Sequence, residues 1–124
     1  MADADNHLIR KITSKGVVST LAGSGTAGDK NGTGTTAQFR NPYAVAVDSS
    51  GNVYVADRSN HRIRKITPGG VTSADVSDVT TFTAVQFNLP YGVAVVESDD
   101  DGDDEVYVYV ADFRNHRIRK IEYK

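Results

Sequence analysis

The chain writes one sentence of eleven residues three times, and that repetition limits its fold more than any other feature. Ala111-Asp112-Phe113-Arg114-Asn115-His116-Arg117-Ile118-Arg119-Lys120-Ile121 follows the pattern of Ala56-Asp57-Arg58-Ser59-Asn60-His61-Arg62-Ile63-Arg64-Lys65-Ile66 and, more loosely, of residues Ala2 to Ile12. His7 and His61 lie 54 residues apart, and His61 and His116 lie 55 apart. A period of this size marks stacked supersecondary units, none of which buries its own apolar faces without a neighbour.

The rest of each period also aligns. Gln38-Phe39-Arg40-Asn41-Pro42-Tyr43-Ala44-Val45-Ala46-Val47 answers to Gln86-Phe87-Asn88-Leu89-Pro90-Tyr91-Gly92-Val93-Ala94-Val95, and Val53-Tyr54-Val55 to Val108-Tyr109-Val110. These runs are short, rich in Val and Tyr, and bounded by Pro, Gly, Asn and Asp, so they predict strands, and the chain is expected to be all-β. Strands at Val45–Val47, Val53–Ala56, Arg62–Ile66 and after Gly69-Gly70 give a four-stranded antiparallel meander, one blade of a β-propeller. The single module 1–124 then divides into a partial blade (1–23), an inter-blade loop (24–37), a complete blade (38–85) and a second partial blade (86–124).

Asn6-His7-Leu8, with Pro-Tyr-(Ala/Gly)-Val-Ala-Val, Val-Tyr-Val-Ala-Asp and Asn-His-Arg-Ile-Arg-Lys-Ile in register, resembles the NHL-repeat propellers over nearly the whole chain. The resemblance implies the blade fold; propellers host many activities, so it implies little about function.

The 124 residues hold about two periods of a fold that takes four to eight blades. Two blades alone leave broad apolar faces in water, which invites association. Three copies closing head to tail would complete a six-bladed ring; the same contact without closure gives an open filament. A piece of a longer propeller is the third resolution. With no cysteine, disulfides and thiolate metal sites are excluded. A formal net charge of −2 neither demands nor forbids a polyanionic partner. Residues Met1 to Asp5 have no signal-peptide character, a secreted or cell-surface parent remains compatible, and no stretch reaches membrane-spanning length.

Four constellations bear on function. Glu97, Asp99, Asp101, Asp103 and Glu105 form an acidic hairpin that resembles the calcium loops of FG-GAP propeller repeats, which implies Ca²⁺ bound in a stabilising role. Asp57, Asn60, His61, Asp112, Asn115 and His116 recur with the repeat and are expected to do a structural job in every blade, the aspartates accepting turn N–H or His/Arg hydrogen bonds. Arg62, Arg64, Arg117 and Arg119 recur on the third strand and would array a basic face, as in NHL propellers that bind single-stranded RNA. Tyr43, Tyr54, Tyr91 and Tyr109 recur too and read as packing residues. No nucleophile, His and acid set is in view, so catalysis by a lyase- or hydrolase-like propeller would need an axial metal site assembled from several blades. The expected function is a non-enzymatic module that binds and self-associates through blade faces, its protein or glycan ligand unspecified.

Overall fold

The computed structural model describes residues 1–69, 71–73, 87–98 and 105–123. Among these the chain forms β1 (Ala2–Asp3), β2 (Leu8–Ile12), β3 (Val18–Ala22), β4 (Gly32–Thr33), β5 (Pro42–Val47), β6 (Val53–Asp57), β7 (Arg62–Ile66), β8 (Val71–Ser73), β9 (Pro90–Ser98), β10 (Glu105–Asp112) and β11 (Arg117–Tyr123). Helix among the described residues is confined to single 3₁₀ turns at Ala4–Asn6, Gly34–Thr36, Arg58–Asn60 and Phe113–Asn115. The strands make three antiparallel sheets, in the orders β1-β2-β3, β4-β8-β7-β6-β5 and β11-β10-β9. The all-β expectation holds, and the four-stranded meander expected in the middle of the chain is present as β5-β6-β7-β8.

Two details go beyond the sequence reading. Ala2–Asp3 pairs with Leu8–Ile9, so the first sheet also carries the end of a second strand. Gly32–Thr33, within the stretch read as an inter-blade loop, pairs with Val71–Thr72 and adds a fifth strand to the middle sheet. Thr33 and Thr36 close a reciprocal cap around the following 3₁₀ turn, which fixes this short strand against the edge it covers.

Period-two alternation of side chains gives each sheet two faces, and the middle sheet uses both. Val55, Ile66 and Phe39 pack with Ile9 and Ala22 of the first sheet. Tyr54, Ala56 and Ile63 pack with Val108, Val110 and Ile121 of the third, with Phe87 in the same cluster. A fully buried Val or Ile contributes about 1.5–3 kcal/mol, so these two seams carry most of the cohesion between sheets. Pro42 and Pro90 open β5 and β9, the first position of a strand, where a missing N–H is tolerated. β5 runs beside both β1 and β9, so the three sheets converge along this edge.

The repeat makes the outward faces comparable with the inward ones. Ile63 is 3% exposed, whereas its counterpart Ile118 on the free face of the third sheet is 73% exposed. Ile66 is fully buried, whereas its counterpart Ile12 on the free face of the first sheet is 51% exposed.

Candidate functional site

Each second strand ends in an aspartate, followed by a 3₁₀ turn and a histidine in the left-handed region, and this unit organises one rim of the sheets. In the middle sheet Asp57 is wholly buried. Its Oδ1 accepts the Arg40 N–H at 2.8 Å, and its Oδ2 accepts Asn60 Nδ2 at 2.7 Å and Arg64 Nη1 at 3.0 Å. Burial pushes the Asp57 carboxyl up, and these donors offset only part of that rise. Asp112 repeats the arrangement with the Asn88 N–H at 2.7 Å, Asn115 Nδ2 at 2.8 Å and Arg119 Nη1 at 3.4 Å. Asp3, in the first sheet, is bonded by Asn6 and Arg10, which together hold its carboxyl below the ordinary value.

The expected Arg bond to aspartate is present, but the N–H comes from the segment leading into the first strand, not from the turn. The histidines serve a different partner again. His7 Nδ1 accepts the Asn41 N–H at 3.1 Å, and His61 Nδ1 accepts the Leu89 N–H at 3.1 Å. Each imidazole therefore fastens its own sheet to the lead-in of the next. Asn60 Nδ2 also donates to Gly28 O at 2.7 Å, drawing the Gly/Thr-rich loop onto the same rim.

The four arginines expected to face a polyanion separate into two pairs. Arg64 is fully buried: Nη1 also donates to Gln38 O at 2.9 Å, Nη2 donates to Lys30 O at 3.1 Å and Asn31 Oδ1 at 2.7 Å, and the guanidinium lies over Phe39. It is an internal brace and is closed to phosphate. Arg119, its counterpart, is nearly as enclosed beside Asp112. Arg62 and Arg117 are exposed, and Arg62 lies 4.0 Å from Asp29.

Of the acidic hairpin, Asp99, Asp101 and Asp103 lie outside the described residues. Glu97 Oε1 accepts both the Ser49 N–H and the Ser49 hydroxyl at 2.8 Å, tying this hairpin to the β5–β6 turn of the middle sheet. Glu105 accepts the Tyr107 hydroxyl, and that bond pushes the phenol up to about 12. Among the described residues no group of three or more His, Cys, Asp or Glu side chains is placed to hold a metal.

One cluster on the rim was not read from the sequence. Tyr54 is a packing residue as expected, but Tyr43 is exposed and meets Tyr91 with ring centroids 4.4 Å apart; Tyr91 meets Phe113 edge-on at 5.1 Å. The Arg58 guanidinium sits over both tyrosine rings, 5.1 Å from Tyr43 and 4.9 Å from Tyr91. The neighbouring Tyr91 phenol holds the Tyr43 hydroxyl above its ordinary value. The only signal in the sequence was that the residue after the aspartate varies between copies, as Ala4, Arg58 and Phe113, while its surroundings repeat.

Comparison with known proteins bears on the repeat. Residues 39–66 match the NHL repeat family. Over 98% of its length the chain is 30% identical to the human NHL repeat-containing protein 2, of which it spans 18%. Its fold is similar to a structural genomics protein of unknown function from Bacteroides thetaiotaomicron, with a TM-score of 0.77 and 24% identity over 99% of this chain and 32% of that one. It is also similar to an auxiliary nutrient binding protein of the same organism, with a TM-score of 0.69 and 22% identity over 98% of this chain and 34% of that one. The chain thus spans about a fifth of the curated relative and a third of these solved chains.

Proposed function

The chain is built of NHL-repeat blades, and from that premise we propose that it is a non-enzymatic binding and assembly module whose outward sheet faces take up the blades of a second copy. The observation that carries this reading is the contrast between repeat-equivalent residues. Ile63 and Ile66 are covered by neighbouring sheets, while Ile118 and Ile12 stand in water on the two free faces. Tyr109, counterpart of the buried Tyr54, is 37% exposed beside Ile118. The two free faces are different surfaces, so a contact between copies is head to tail, the geometry that closes into rings or runs on as filaments. A face built to the plan of a seam already made twice within the chain is a better partner for such a surface than water.

The sheet count bears on stoichiometry. With three sheets in one chain, two copies packed face to face supply six. The three-copy ring expected from two periods instead requires the last sheet of one copy to merge with the first sheet of the next. β2 and β11 are both third strands and compete for one place in such a merged blade, so the two-copy closure is the arrangement we favour.

Size-exclusion chromatography with native mass spectrometry over a dilution series tests this. The expected result is a closed dimer that Ile118→Asp converts to monomer without changing the far-ultraviolet circular dichroism. A wild-type chain that remains a well-folded monomer at the highest concentration sinks the assembly reading, and a trimer sinks the face-to-face closure.

A further inference from the structure

Arg58 is held in an unusual way. Tyr43 and Tyr91, with ring centroids 4.4 Å apart, lie together against one side of its guanidinium, its Nε is buried without a hydrogen-bond partner, and its side chain makes no hydrogen bond or ion pair among the described residues. The other arginine braces of the repeat answer to an aspartate: Arg10 to Asp3, Arg64 to Asp57 and Arg119 to Asp112. Arg58 is instead oriented by aromatic rings on one side, and with the residue half-buried and its Nε the atom that is closed off, the Nη edge of its fork can be reached from outside. A guanidinium fixed in this way is matched by a planar oxyanion that accepts two parallel N–H bonds, and little side-chain entropy is left to lose.

The surroundings narrow the partner. Phe113 is 57% exposed and Tyr43 46% exposed, so an apolar side chain can lie beside the fork. Tyr, Arg and Phe in one contiguous patch are the residue types that dominate binding energy at protein interfaces. The register that pairs Pro42 with Asp57 puts Arg40, Arg58, Arg62, Arg114 and Arg117 at this one end of the sheets. Among the described residues, Asp5 and Asp29 are the acidic residues near them whose carboxylates are not taken up by the aspartate braces. The opposite end, where β5 turns into β6 and β9 approaches β10, carries Asp48, Glu97 and Glu105.

A single-stranded nucleic acid fits this rim less well. A run of stacked bases needs several free aromatic faces, and Tyr43 and Tyr91 are engaged with Arg58 and with each other, which leaves the patch Phe113 alone to offer an open ring. We infer that the Tyr43–Arg58–Tyr91–Phe113 patch docks an acidic protein segment, with one Asp or Glu carboxylate taken edge-on by Arg58 and a neighbouring apolar side chain resting on Phe113. The patch spans two sheets of a single chain, so this docking does not depend on the assembly proposed above.

Binding is measured by fluorescence anisotropy with four labelled probes: a synthetic peptide alternating Glu pairs with Phe, its Gln analogue, its Ala-for-Phe analogue and an oligouridylate. The expected result is that the Glu/Phe peptide binds and each analogue is weaker by about tenfold or more, the usual effect of losing a charge-assisted bidentate bond or a buried aromatic contact. R58K keeps the charge but loses the fork, and should weaken the Glu/Phe peptide by a similar factor while leaving the weak binding of the Gln analogue unmoved. Phe113→Ser, at an exposed position, should remove the preference for Phe over Ala with the fold intact. Equal affinity for the Glu and Gln peptides, an R58K protein that binds as the wild type does, or tighter binding of the oligouridylate would each overturn the inference.

Discussion

His61 adopts φ 57°, a left-handed conformation that costs an L-residue roughly 1–2 kcal/mol, and the same conformation recurs at His7 (57°) and His116 (53°). What offsets the strain is the reach it gives the imidazole, since the αL turn aims Nδ1 at the Leu89 N–H of the next sheet. As an acceptor Nδ1 carries no proton, so the ring is the Nε2–H tautomer or its hydrogen-bonding role is lost. Replacing His61 by Ala keeps the strain and deletes the bond, for an expected loss of about 1 kcal/mol in urea unfolding. Gly relieves the strain as well, so H61G should be less damaging than H61A. His116 has the same φ but no Nδ1 hydrogen bond among the described residues; H116A should therefore stay within about 0.5 kcal/mol of the wild type. Equal losses for H61A and H116A would show that the bond between sheets contributes nothing. The recurrence of Asp-x-x-Asn-His announced a job done in every blade, and that much could be read directly from Asp57, Asn60 and His61. The partner could not: the N–H that His61 receives is 28 residues downstream and the one for His7 is 34, distances that no local pattern spans.

At the scale of the element, the β5–β6 hairpin shows how a visible turn conceals its organiser. Asp48-Ser49-Ser50-Gly51-Asn52 reads as a tight turn, and Gly51 indeed takes φ 86°. Less apparent is that Asp48, 7% exposed, is its organiser. Its Oδ1 accepts the Ser50 and Asn52 N–H groups at 3.0 and 2.9 Å, and its Oδ2 accepts Asn52 Nδ2 at 2.9 Å and the Tyr54 hydroxyl at 3.1 Å. Burial works to raise this carboxyl, but the donors of Asn52, Tyr54 and Ser50 together outweigh it and hold the group below its ordinary value. A carboxylate whose folded-state pKa is depressed stabilises the fold fully above its unfolded pKa, near 3.9, and loses that contribution as pH falls through the folded value. Asp48→Asn places an amide donor where Tyr54 and Asn52 already donate, so it should cost about 1–3 kcal/mol at neutral pH. Followed by urea melts down the pH scale, the gap between wild type and D48N should hold to about pH 4 and narrow below it. A gap that is constant down to the lowest pH would remove Asp48 as the ionised centre of the turn. The longer hairpin between β9 and β10 was legible as acidic and as different from its counterpart. The structure adds that Glu97 spends its carboxylate on the neighbouring turn at Ser49, a cross-sheet contact that the charge run gave no reason to expect.

For the whole molecule, three sheets stacked in a row make stability a property of seams rather than of single sheets, as in any quasi-one-dimensional array. The period of the histidines made the stacking legible, because a repeat that cannot bury its own faces must borrow them. The sheet count was less legible, because the first sheet is assembled from Ala2–Asp3 and two further strands, and the middle one recruits Gly32–Thr33 from a stretch whose composition reads as linker. The middle sheet is covered on both sides: Val55, Tyr54, Ile66 and Ile63 are all buried there. The outer sheets are covered on one side only, with Ile12 and Ile118 facing water. Local opening follows buried contact, so native-state hydrogen exchange on dilute protein should show the slowest amides in β6 and β7 and faster exchange in β2 and β11. The ordering distinguishes a stack from a two-state unit, in which all three sheets exchange with one free energy. Raising the protein concentration adds the second test. If free faces are taken up by another copy, protection in β2 and β11 should climb toward that of the middle sheet, because binding to the folded state alone stabilises whatever it covers. In the Ile118→Asp variant β11 should keep its fast exchange at every concentration. Uniform protection across all three sheets at low concentration would mean that the seams do not set the order of opening, and the stacked-blade account of stability would fall with it.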